Sequence, residues 1–105
     1  MDEISGFLPT DDQDIDDAAR SLKAMSHPLR LKILCALGSK EISVQDIVEL
    51  VGTSQSNISQ HLGILREKRI LVTRKHANRV YYQIGDKRML RLIGMMREVF
   101  CRHKP

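Results

Sequence analysis

The sequence predicts a mainly α-helical domain carrying one small β-hairpin. Three observations predict it. Apolar residues recur at helical spacing through most of residues 14–68. Gly52-Thr53-Ser54 breaks that pattern tightly between a short helical stretch and a longer one. The run ILVTRKHANRVYYQI at 70–84 is two β-branched and aromatic stretches around a polar turn.

The first helix is expected over 14–25, with Ile15, Ala18, Ala19, Leu22 and Met25 on one stripe. Pro28 suits a helix first turn and disfavours helical backbone at His27, so His27-Pro28 marks a break. A second helix follows over 28–37. Leu29, Ile33, Ala36 and Leu37 share one face, and Leu31, Leu34 and Cys35 make it apolar nearly all round, so it should be central. Gly38 stops it. Ser43 can cap a short helix over 44–51 that Gly52 ends, and Thr53 or Ser54 can cap a fourth reaching about Lys68. Strands Ile70–Lys75 and Arg79–Ile84 flank a turn at His76-Ala77-Asn78, and Asp86 caps a last helix to about His103. Four helices, a hairpin and a closing helix make a winged helix-turn-helix.

With 105 residues, 42% of them hydrophobic, the chain has material for one core. So small a core makes dimerisation an expected second source of stability, and the fold is expected as a homodimer. Residues 1–13 are expected as an acidic flexible tail and 14–105 as the folded domain. There is no 18-residue apolar run and no basic, apolar start like that of a signal peptide, so a cytoplasmic chain with no membrane partner is expected. In that compartment the two cysteines suit a reduced, metal-binding or redox-active role better than a permanent bridge.

The net charge of +4 hides an asymmetry. Residues 1–17 hold seven acidic residues and no Lys or Arg, and the remainder holds all 17 basic residues against six acidic ones. A body this basic suits a polyanionic partner, with an ordinary soluble basic surface as the plainer alternative.

On a helical wheel over 54–68, Ile58, Leu62 and Leu65 share the side that should pack inward. Ser56 and Gln60 point away from them, with Ser54, Gln55, Asn57 and Ser59 nearby and no acid before Glu67. Short amide and hydroxyl side chains at a helix start suit base edges in a major groove of double-stranded operator DNA. A solvent face would carry more Glu and Lys. His61 lies between the two arcs, where packing and a phosphate contact are both open. Arg74, Lys75, His76 and Arg79 surround the hairpin tip and could reach phosphates or a minor groove; a charged edge that discourages sheet aggregation is the alternative.

At these residues the chain resembles the ArsR/SmtB family of bacterial winged-helix repressors. LKAMSHPLRLKILCAL at 22–37, SQSNISQHLGILREKRIL at 54–71 and RKHANRVYYQI at 74–84 carry the resemblance, which spans roughly 18–102. It implies a dimeric repressor that releases its operator on binding an inducer, with dimer contacts mainly from the first and last helices. Leu22, Met89, Leu92, Ile93, Met96 and Phe100 are the expected dimer residues. Independently, the last helix has an apolar stripe, Val99 included, that is too broad for one small core.

The best-known metal sites of that family do not match. The third helix, SVQDIVEL, lacks the paired cysteines of the metalloid sensors, and Arg88 stands where the zinc site of the last helix uses a histidine, leaving Asp86 and a lone His103. Cys35 and Cys101 are placed as in the subgroup sensing reactive sulfur species and oxidants, the BigR, SqrR and HlyU type. Carried over, they form the sensing dithiol, closed by a disulfide or polysulfide bridge when a persulfide, polysulfide or oxidant acts as inducer. Arg97, Arg102, His103 and Lys104 surround Cys101 with positive charge, against the dipole of the helix end. Cys35 in an apolar helix also suits plain packing. A zinc site built from the thiols and scattered histidines, a regulator with structural cysteines only, and a non-specific nucleoid protein remain as alternatives. With no C-x-x-C, no Ser/His/Asp set and no glycine-rich phosphate loop, neither an enzyme nor a cofactor is expected.

Overall fold

The computed structural model describes residues 11–101. Its elements in chain order are α1 (Asp12–Met25), α2 (Pro28–Leu37), β1 (Ile42–Ser43), α3 (Val44–Val51), α4 (Gln55–Glu67), β2 (Leu71–His76), β3 (Arg79–Ile84) and α5 (Lys87–Phe100). This is the winged helix-turn-helix expected, with differences at the edges. Helix α1 starts two residues before the predicted position 14, because the Asp11 carboxylate accepts the Gln13 N–H at 3.1 Å and caps it. Asp12 and Asp14 then sit in the first turn, where the helix dipole favours them. The rest of the expected tail, residues 1–10, and the expected last turn to His103, with Arg102 and Lys104, lie outside the described residues.

The remaining helices begin where their caps predict. His27 Nδ1 accepts the Leu29 N–H at 3.1 Å, with Pro28 next in the first turn of α2. Ser43 caps α3, Ser54 caps α4, and Asp86 caps α5 by accepting the Arg88 N–H at 2.7 Å.

The hairpin became a three-stranded antiparallel sheet in the order β1-β3-β2. The added strand pairs Ile42 with Tyr82 and Ser43 with Tyr81. The turn narrows from three residues to two, Ala77-Asn78, because His76 pairs with Arg79. Ala77 holds φ 55, a conformation glycine adopts more readily.

Ile33, Leu34 and Leu37 of α2, Ile47 of α3, Ile58, Leu62 and Leu65 of α4, and Leu71 of β2 are buried completely or nearly so. Helix α2 is central as expected: it touches α1, α3, α4, α5 and β3. Helix α1 instead contributes only Ala24 and Met25 to the core. Its stripe residues Ile15 and Leu22 are exposed, and an apolar groove of about 210 Å³ lined by Leu22, Met25, Leu31, Leu92, Ile93 and Met96 separates α1 from α5. Among the described residues, no helix is long and apolar enough to cross a membrane.

Candidate nucleic-acid interface and dithiol

The helix-turn-helix is set by local chemistry. Ser43 Oγ accepts the Asp46 N–H at 3.3 Å to start α3. Gly52 ends it at φ 81, and its N–H reaches the Val48 carbonyl. Lys32 Nζ, from α2, donates to the Val51 carbonyl at 3.0 Å and occupies an acceptor that the helix end leaves open. Ser54 Oγ then accepts the Asn57 N–H at 3.2 Å and starts α4.

Helix α4 turns Ile58, Leu62 and Leu65 into the core, as their spacing predicts. Ser54, Gln55, Ser56, Ser59 and Gln60 are all exposed on the other side. Two members of the expected set differ. Asn57 is half-buried, and its amide donates to Thr53 Oγ1 at 3.2 Å, so it braces the turn. His61 is buried, 9% exposed, stacked at a 4.6 Å centroid distance on His27 and hydrogen-bonded to Arg30 at 3.1 Å. It is a packing residue and is withdrawn from the exposed face. Burial lowers its pKa, and the charges of His27 and Arg30 lower it further.

On the hairpin, Arg74, Lys75, His76 and Arg79 are exposed. Arg74 is not available as expected. Its guanidinium donates to Glu41 at 3.0 and 2.8 Å and lies 5.1 Å over the Tyr81 ring. The Arg74 guanidinium holds the Glu41 carboxyl below its usual range. Sequence reasoning missed Glu41, whose partner is 33 residues away and leaves no local pattern.

The expected dimer residues divide. Leu22, Leu92 and Phe100 are exposed, and Met89 and Met96 are half-buried. Ile93 is only 4% exposed and belongs to the protein's own core. Met95, which is not among the expected dimer residues, is exposed, as is Val99.

Cys35 is half-buried on α2, and Cys101 is exposed at the end of α5, its N–H bonded to the Arg97 carbonyl at 2.8 Å; both are free thiols. Burial pushes the Cys35 thiol up, Arg97 opposes the rise, and Cys101 adds to it. Among the described residues, no three His, Cys, Asp or Glu side chains are grouped so as to hold a metal ion.

Residues 27–72, the span from the α2 cap to β2, match the model of the arsR family of bacterial regulatory proteins. The biofilm growth-associated repressor of Xylella fastidiosa is 34% identical over 86 residues, which is 82% of this chain and 75% of that protein. The chain belongs to the ArsR family. This ArsR-family protein is a transcriptional regulator, and BigR and HlyU are among its solved neighbours. The transcriptional repressor BigR from Xylella fastidiosa matches with a TM-score of 0.79 at 32% identity, over 88% of this chain and 94% of that one. Reduced HlyU from Vibrio cholerae matches with a TM-score of 0.80 at 34% identity, over 87% of this chain and 96% of that one.

Proposed function

We propose that this ArsR-family regulator is a sequence-specific repressor that binds operator DNA as a homodimer and releases it when Cys35 and Cys101 are bridged. The observation that carries the DNA reading is the exposed row Gln55, Ser56, Ser59 and Gln60 on α4, beside the cations of the wing. Amide and hydroxyl groups at the start of a recognition helix read base edges, and wing cations take phosphates. Exposed Leu22, Leu92, Met95, Val99 and Phe100 on the first and last helices support a two-fold partner, which would present two α4 helices to a palindromic site.

The sulfur reading is supported by two free thiols, with Cys101 near enough to help raise the Cys35 pKa, and by the likeness to reduced HlyU, a structure described by its redox state. A persulfide supplies the oxidation. The exposed Cys101 thiolate attacks its sulfane sulfur, Cys35 closes the bridge, and a thiol and hydrogen sulfide leave with the two electrons and the protons. The bridge ties α2 to the end of α5. Because α2 also touches α4, the strain reaches the recognition helix. A coupling of about 1–3 kcal/mol corresponds to a five- to 150-fold loss of affinity.

The test uses a duplex selected from a random pool with reduced protein. Polysulfide-treated wild type is expected to lose the duplex, whereas Cys35→Ser and Cys101→Ser keep it. Serine variants that respond like wild type overturn the sulfur reading and leave the DNA reading standing.

A further inference from the structure

Among the described residues, Lys75, His76 and Arg79 of the wing have no carboxylate partner, and Arg74 alone is held. Glu41 stands just before β1 and receives the guanidinium as a two-pronged fork, Nε at 3.0 Å and Nη2 at 2.8 Å. Tyr81 supports it from beneath, being the cross-strand partner of Arg74. Tyr81 also pairs with Ser43, so the strand that carries Glu41 into place is registered on the same residue that carries the stack. An exposed ion pair of this kind adds little stability. Its consequence lies in which charges the wing presents. Strand alternation puts Arg74 on the same face of the hairpin as His76, whose cross-strand partner is Arg79. A released Arg74 would therefore join that cationic row.

We propose that Glu41 is a positioning residue for DNA binding: it holds Arg74 against Tyr81 and so removes one phosphate contact from the wing. Lys75, His76 and Arg79 are left to meet the backbone. The proposal rests on the chain being a DNA-binding regulator, and its test separates the two.

The experiment measures binding of the full chain to a random-sequence duplex across a salt series and reads the slope of log K against log salt. Each phosphate neutralised contributes about 0.9 to that slope. Glu41→Gln is expected to steepen it by about 0.9, a further three- to fourfold loss of affinity for a fourfold rise in salt. Glu41→Ala is expected to do the same. The double variant Glu41→Gln/Arg74→Gln, which matches wild type in net charge, is expected to return to the wild-type slope. Lys75→Gln should flatten the slope in every background. An unchanged slope in both Glu41 variants overturns the proposal. So does a steepening that persists without Arg74, since it would then come from loss of the Glu41 carboxylate itself and not from a released Arg74. A wild type without any salt-sensitive complex overturns the DNA reading itself, and this proposal with it.

Discussion

Arg30 and His61 meet through one hydrogen bond, Nη1 to Nδ1 at 3.1 Å, and its direction fixes the state of the histidine. A guanidinium only donates, so Nδ1 must accept and the ring proton sits on Nε2. His27, stacked on His61, likewise accepts through Nδ1, from the Leu29 N–H. The α1–α2 junction and α4 are joined at this cluster, where Arg30 Nε also donates to the Ala24 carbonyl.

Acid should therefore loosen the fold at this point. The pKa of folded His61 is lowered, by burial first, so the unfolded imidazole takes up its proton at higher pH than the folded one. Stability is expected to be flat above about pH 6.5, the ordinary histidine value, and to fall below it. Thermal melts at a series of pH values check this. His61→Gln should flatten the decline between neutral pH and about pH 5.5, relative to wild type.

Gly52 and Gly63 offer matched substitutions of opposite sign. A Cβ at either one meets nothing within 4 Å, so space does not distinguish them. Gly52 holds φ 81 and Gly63 lies inside α4. Gly52→Ala is expected to cost about 1–2 kcal/mol through left-handed strain. Gly63→Ala is expected to stabilise by roughly 1 kcal/mol through helix propensity. Urea unfolding of the two variants measures both.

The division of the α5 stripe has its own consequence. Ile93→Ala should cost about 2–5 kcal/mol in unfolding free energy, because it empties a core position. Phe100→Ser, at 76% exposure, should leave secondary structure intact and weaken self-association in sedimentation equilibrium.

The two thiols should differ in reactivity. Cys101 is exposed, whereas burial raises the Cys35 pKa. Alkylation at neutral pH, followed by peptide mass spectrometry, is expected to label Cys101 first, with Cys35 catching up as pH rises.

Much of this was legible in the sequence because it is local. The spacing of Ile58, Leu62 and Leu65 marks the inward side of α4, and Gly52, Thr53 and Ser54 mark the turn. What was not legible depends on distant partners. A two-residue strand, Ile42–Ser43, has no periodicity and exists only by pairing with Tyr81 and Tyr82. The Glu41–Arg74 pair is another such case. His61 sits at a boundary on the wheel, and only Arg30 and His27 decide that it turns inward. A stripe as wide as that of α5 does not say which half meets its own core, so in the sequence Ile93 reads like the outward residues.

The central claim is that the exposed amides and hydroxyls of α4 read sequence. The most direct measurement compares the affinity of the reduced chain for a duplex enriched from a random pool with its affinity for bulk DNA, for wild type and for Ser56→Ala/Gln60→Ala. Wild type is expected to prefer the enriched duplex by about 10³-fold or more, and the variant to lose about 1–3 kcal/mol of that discrimination per base contact removed. Equal affinity for every sequence, or a preference untouched by the two substitutions, would contradict the account.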